Sequence, residues 1–158
     1  MRKEESSLKR PIVKNAKLIL VEDNPVLSRM IPLQMTKYGY EVVSVFSRGE
    51  DALKKSAELQ FDLILMDIDL GGAMDGVTAA QALQRTKDVP VVFITSHDDK
   101  EMRGRTQSIR FSTCLAKPFT EREVALTIEL SLQRARYERE REVLVKKIES
   151  LQQRLPNG

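Results

Sequence analysis

The feature that most constrains the fold is a short apolar run that ends in an acid and then breaks into glycines. Leu63-Ile64-Leu65-Met66 is closed by Asp67 and followed by a loop running from Gly71 to Gly76. Such a run, bounded by turn residues, reads as a strand buried on both faces, and strands of that kind belong to parallel sheets. The design recurs at Leu18-Ile19-Leu20-Val21, which is closed by Glu22 and Asp23. Five β-type runs (Leu18–Val21, Glu41–Val45, Leu63–Met66, Val91–Ile94 and Thr113–Leu115) alternate with helix-type segments. That alternation predicts an α/β fold, a doubly wound five-stranded parallel sheet with helices on both faces.

The helical segments carry their own punctuation. Asn24-Pro25 opens the first, Gly39 stops it, and Pro32 is expected to kink it. Ser47-Arg48-Gly49-Glu50 reads as a capping box for the second. The third is expected from about Gly76 to Arg85 and the fourth from about Asp99 to Arg110. The last differs in kind. From Glu121 to Leu155 there are 35 residues without Gly or Pro, which as one helix would span about 50 Å. Val124, Ile128 and Leu132 can pack on the sheet. Leu130, Tyr137, Leu144 and Leu151 repeat every seven residues, with Ile148 and Leu155 in the alternate seam position. This is a coiled-coil pattern, well formed only in its last two heptads because Arg134 and Arg141 occupy the other seam positions.

Composition narrows the class. Of the 158 residues 41% are hydrophobic and 5% aromatic, with no Trp, so the core must be aliphatic. One cysteine, Cys114, leaves no internal disulfide and fits a reducing cytoplasm. No apolar run approaches the ~20 residues of a membrane span, and the first residues lack a signal-peptide apolar segment. The net charge of +3 resides in a basic arm over residues 1–15, read as a solvated leader rather than a nucleic-acid site.

The acids at the strand ends carry the chemistry. Ligands of open α/β sheets bind at the C-terminal edge of the strands. Glu22, Asp23 and Asp67 brought to that edge would repel unless a cation joined them, and hard oxygen ligands suit Mg²⁺. Thr95 ends the fourth run, and Lys117 follows the fifth. A carboxylate nucleophile, a hard cation, a hydroxyl and an ammonium together form a phosphoryl-transfer set, because the migrating group spreads its charge over three oxygens.

Leu20-Val21-Glu22-Asp23-Asn24-Pro25, Leu65-Met66-Asp67, Ile94-Thr95-Ser96 and Ala116-Lys117-Pro118-Phe119 resemble, in order and spacing, the receiver domain of two-component response regulators. The resemblance covers about residues 16–130 and implies the sheet order 2-1-3-4-5. It implies that Asp67 is the phosphoacceptor and that Glu22, Asp23, Asp67 and the backbone carbonyl of Asp69 hold Mg²⁺. Thr95 and Lys117 would contact the phosphoryl group, and the Lys117–Pro118 peptide would be cis. Asp69 and His97 fall where family members tune the lifetime of the aspartyl phosphate, and His97 reads as a rim residue rather than a metal ligand. The implied donor is a sensor histidine kinase or a phosphotransfer protein. No nucleic-acid or membrane partner is expected, and the protein is a phosphoacceptor rather than an enzyme.

Two positions depart from that family. Receivers commonly carry Tyr or Phe three residues before the lysine, where the ring swings inward on activation. Cys114 stands there, a thiol expected to be a buried small hydrophobe and too small to report by the same rotation, and Phe111 is expected to be core. The loop Asp67-Ile68-Asp69-Leu70-Gly71-Gly72-Ala73-Met74-Asp75-Gly76 lacks the usual proline and is about one residue longer, which is expected to make it mobile.

The 38 residues after Thr120 cannot hold a helix-turn-helix module, so output is expected through protein–protein contacts, a homodimer through residues 131–158, or a linker to a further domain. Two alternatives compete. Asp67-Ile68-Asp69 also resembles the nucleophile motif of haloacid-dehalogenase-type phosphatases, although no later acidic motif or cap accompanies it. A phosphorylation-independent scaffold would gain nothing from clustered carboxylates.

Overall fold

In a computed structural model, which describes residues 15–96 and 100–155, five strands and five helices alternate strictly. They are β1 (Lys17–Val21), α1 (Pro25–Lys37), β2 (Glu41–Phe46), α2 (Gly49–Ser56), β3 (Leu63–Asp67), α3 (Gly76–Gln84), β4 (Val91–Thr95), α4 (Lys100–Gln107), β5 (Ser112–Ala116) and α5 (Glu121–Arg154). The strands form one parallel sheet in the order β2-β1-β3-β4-β5. Residues 1–14 of the basic arm and His97 lie outside the described residues, as does the Pro156–Gly158 end.

The period of two along each central strand divides the core between the sheet's faces. Ile19, Val21, Ile64, Met66, Val91 and Phe93 meet Ala52 of α2 and Val77, Ala80 and Leu83 of α3. Leu18, Leu20, Leu63, Leu65, Val92 and Ile94 meet Ile31 and Met35 of α1 and Val124, Ile128 and Leu132 of α5. Every residue of β3 and β4 is buried, as a central parallel strand requires.

The helix ends explain the loops. Asn24 accepts from Val26 and Leu27 to cap α1, which continues through Pro32 to Lys37. Asp75 accepts from Thr78 N–H to cap α3. Thr120 and Glu123 form a reciprocal capping box on α5. The capping box expected at Ser47 does not form. Arg48 is the N-cap of α2 and supplies no side-chain bond. Glu50 is committed elsewhere, its Oε1 accepting from Ala73 N–H at 2.7 Å.

One further expectation changes. Cys114 is exposed, not buried. It lies on β5, an edge strand, and α4 is short and strongly polar, so a cleft of about 400 Å³ opens between them. Two neighbouring acids accept backbone hydrogen bonds from the glycine loop after Asp67: Asp23 Oδ2 from Gly71 N–H at 3.1 Å, and Glu50 from Ala73 N–H. Phe111 is buried as expected, and Lys117–Pro118 is cis.

Candidate functional site

The parallel register delivers the chemistry to one edge. β1 and β3 run side by side with Val21 opposite Met66, so Glu22 and Asp67, the next residues along each strand, emerge together. Asp67 pairs with Ile94 across β3 and β4, which sets Thr95 one residue further along the same edge. Lys117 N–H donates to the Thr95 carbonyl at 2.8 Å, fixing the chain just after β5 against the end of β4.

Two of these acids are almost fully buried: Glu22 is 1% exposed and Asp67 2%. Asp67 Oδ1 accepts from Asp69 N–H at 3.0 Å, and Oδ2 lies 3.3 Å from Lys117 Nζ, so the carboxylate's orientation is set at both oxygens. Glu22 Oε1 accepts from Asn24 N–H at 2.9 Å. Its Oε2 is 3.5 Å from Lys117 Nζ, an ion-pair distance, yet it accepts no hydrogen bond.

Burial pushes the Glu22 carboxyl up to about 7, and Asp67 adds to the rise against the opposing Asn24 N–H and Lys117. Burial alone would lower Lys117, but the attraction of Asp67 and Glu22 outweighs it and raises the ammonium above its ordinary range. One cation is thus shared by two buried carboxylates.

Glu22, Asp23 and Asp67 each offer a carboxylate oxygen within 4.8 Å of the others. Three acids and one ammonium leave the cluster short of positive charge, and Glu22 Oε2 lacks a donor. An all-oxygen set of this kind fits a hard divalent cation.

Gly76 is a residue that spacing alone did not single out. A Cβ there would sit 2.0 Å from the Asp67 carbonyl oxygen, so only glycine lets the start of α3 pack against the backbone of Asp67. Glu50 and Asp75 were also missed as tethers. Asp75 Oδ2 takes Arg105 of α4 at 2.6 Å, tying the loop after Asp67 to α4. Asp75 before Gly76 carries a local N-cap signal, whereas the reach of Glu50 and Arg105 is non-local and leaves none.

The sequence profile of the response regulator receiver domain matches residues 18–129, and the chain belongs to that family. The matched residues include Asp67-Ile68-Asp69. The chain is similar to the transcriptional regulatory protein ResD of Bacillus subtilis, 26% identical over 75% of this chain and 49% of that protein. It is similar in structure to the receiver domain of a modulated diguanylate cyclase from Desulfovibrio desulfuricans G20, at 32% identity and a TM-score of 0.72, covering 79% of this chain and 99% of that one. The N-terminal domain of a response regulator/sensory box/GGDEF three-domain protein from Carboxydothermus hydrogenoformans is 35% identical with a TM-score of 0.69, covering 77% and 98%. The chain spans about half the length of the curated relatives it matches. No helix among the described residues is long and apolar enough to cross a membrane.

Proposed function

We propose that this receiver accepts a phosphoryl group on Asp67 from the phosphohistidine of a sensor kinase or phosphotransfer protein. The observation that carries the reading is a nearly buried aspartate at a strand end, its Oδ2 3.3 Å from Lys117, with two further carboxylates beside it. A carboxylate oxygen of Asp67 attacks phosphorus, a P–O bond forms, the donor's P–N bond breaks, and the imidazole leaves with its electron pair. Lys117 neutralises charge on the migrating group, and the Thr95 hydroxyl donates to one of its oxygens. Asp69 N–H holds the attacking carboxylate in place.

Glu22, Asp23, Asp67 and the Asp69 carbonyl would hold Mg²⁺, which when bound offsets the negative charge of carboxylates and phosphoryl oxygens. The protein turns over no substrate; phosphorylation and its reversal are states of a switch.

The receiver unit covers residues 16–130, and residues 131–158 carry its output. Leu144, Ile148 and Leu151 on the distal part of α5, and Leu155 just after it, are all exposed along one seam, a stripe that a second copy of the helix would cover in a homodimer. The same helix could lead to a further module; the similar receiver from Carboxydothermus hydrogenoformans is the N-terminal domain of a three-domain protein. An exposed free thiol at Cys114 suits the reducing cytoplasm.

Incubation with acetyl phosphate and Mg²⁺ is expected to add one phosphoryl group to the intact mass. The addition should be absent in Asp67→Ala and sharply slowed in Lys117→Ala. No modification by acetyl phosphate, phosphoramidate or a phosphorylated histidine kinase would sink the reading and favour a phosphorylation-independent scaffold.

A further inference from the structure

At the opposite edge of the sheet, α5 does not end where its packing ends. Its last buried residue is Ala135, and every residue from Arg141 to Leu155 is exposed. Around this transition the helix is held by a charged cluster that the site does not use. Arg139 Nη2 donates to the Asp88 carbonyl, and its Nε lies 3.6 Å from Asp88 Oδ2. Arg110 Nη1 reaches both oxygens of Asp88, at 3.2 and 3.1 Å, and its Nη2 meets Glu142 Oε1 at 2.6 Å. Asp88 belongs to the α3–β4 loop, Arg110 to the α4–β5 turn, and Arg139 and Glu142 to α5, three apart and on one helix face.

The cluster is organised rather than incidental. Two arginines and two acids make it neutral as a set. Both guanidinium groups lie against the ring of Phe111, at 4.2 Å for Arg110 and 5.3 Å for Arg139. Phe111 is buried and has φ +55°, a left-handed conformation that a bulky side chain adopts only when its surroundings impose it. Gln84, at the end of α3, donates to both Val89 O (3.0 Å) and Arg110 O (2.5 Å), binding the two loops to each other. Four elements therefore converge where α5 leaves the sheet.

We propose that Asp88, Arg110, Arg139 and Glu142 form a latch that fixes the direction in which α5 leaves the receiver. The upstream part of α5 is already packed through Val124, Ile128 and Leu132, so the latch need only suppress bending over the next two turns. The latch also has a path to the site. Arg110 follows α4 by three residues, and α4 faces Thr95 across the cleft lined by Arg103, Thr106 and Cys114. A shift of α4 toward Thr95 carries Arg110 with it and redirects the helix, a route that needs no aromatic ring at position 114. This second clause rests on the phosphoacceptor reading; the latch itself does not.

Spin labels at Glu58→Cys and Lys147→Cys in the 158-residue chain carrying Cys114→Ala, diluted with unlabelled chain to suppress contacts between copies, test both clauses by pulsed dipolar spectroscopy. A narrow distance distribution is expected in the parent. Arg110→Ala and Asp88→Ala should each broaden it about twofold with helix content unchanged, as should about 1 M salt, while Lys146→Ala leaves it narrow. A broad parent distribution, or latch variants as narrow as the parent, overturns the latch. With acetyl phosphate and Mg²⁺ the mean distance should move in the parent and stay fixed in Asp67→Ala. An unmoved distance in protein whose mass shows the phosphoryl group overturns the coupling alone. Absence of modification removes the coupling together with the phosphoacceptor reading, and leaves the latch to stand on the first measurement.

Discussion

The acidic edge of the sheet and the distal part of α5 use the same side chains to opposite ends. On α5, Arg134–Glu138 and Arg136–Glu140 pair at 2.8 and 3.0 Å, closer than Lys117 approaches either Asp67 (3.3 Å) or Glu22 (3.5 Å). Distance does not rank these pairs; solvent does. The helical pairs are well exposed, where water and salt reduce an ion pair to a few tenths of a kcal/mol. At the edge the carboxylates are out of water, so an imbalance of charge is costly and an incoming cation or phosphoryl group changes the balance. These two pairs are compensated within their own helix, whereas the edge is left to be completed.

The largest effect should come from backbone contact at the edge. Gly76→Ala places a Cβ 2.0 Å from the Asp67 carbonyl oxygen. The displaced start of α3 should cost at least about 3 kcal/mol, read as a fall in the denaturation midpoint. Gly104→Ala, in a helix where the new Cβ meets nothing within 4 Å, should change sign and stabilise by about 0.5–1 kcal/mol through helix propensity. Equal losses at both glycines would mean that the edge is looser than its packing implies.

Charge at the edge comes next. Glu22 has its folded carboxyl raised from 4.5 to about 7, first by burial and then by Asp67. A raised group contributes stability that is complete below pH 4.5 and is lost as pH climbs through 7. The metal-free protein should therefore lose stability across that window. Glu22→Gln should be more stable than the parent by about 2 kcal/mol at pH 8 and indistinguishable from it at pH 4 in chemical denaturation. Millimolar Mg²⁺ should narrow the gap at pH 8 by stabilising the parent. A variant no more stable at pH 8 would show that Lys117 alone balances both acids.

A smaller effect belongs to the start of α5, where Thr120 Oγ1 accepts from Glu123 N–H at 3.2 Å and Glu123 Oε2 accepts from Thr120 N–H at 2.6 Å. Thr120→Ala should cost about 1 kcal/mol in thermal or chemical denaturation.

What was legible in the sequence follows from how local the determinants are. β3 and β4 could be read because strands buried on both faces must be apolar throughout, and Leu63–Met66 and Val91–Ile94 are. β5 was placed one residue short at each end, since an edge strand such as Ser112–Ala116 carries no such demand. Glu22, Asp67, Thr95 and Lys117 could be gathered on paper because parallel register brings every strand end to one edge. The exposure of Cys114 could not, because it depends on how little α4 covers. Ser47 misled for a related reason: the motif was present, but Glu50 found a better donor in a loop 23 residues away. The latch was invisible because Asp88 and Arg139 are 51 residues apart and neither looks unusual alone.

The smallest expected effect tests the comparison from the helix side. In both α5 pairs Arg precedes Glu by four residues. That is the weaker of the two orders, since the acid prefers the positive N-terminal end of the helix dipole and the base its C-terminal end. Reversing one pair, Arg136→Glu with Glu140→Arg, keeps composition and net charge while improving the order. Thermal denaturation should move upward by the equivalent of about 0.2–0.5 kcal/mol or less, and the gain should fade in high salt. Arg136→Ala alone should lose a similar amount. A change above about 1 kcal/mol from either would mean that Arg136 and Glu140 are tied into more than their own helix, and the contrast with Glu22 and Asp67 would then fail on the side where solvent should make the charges weakest.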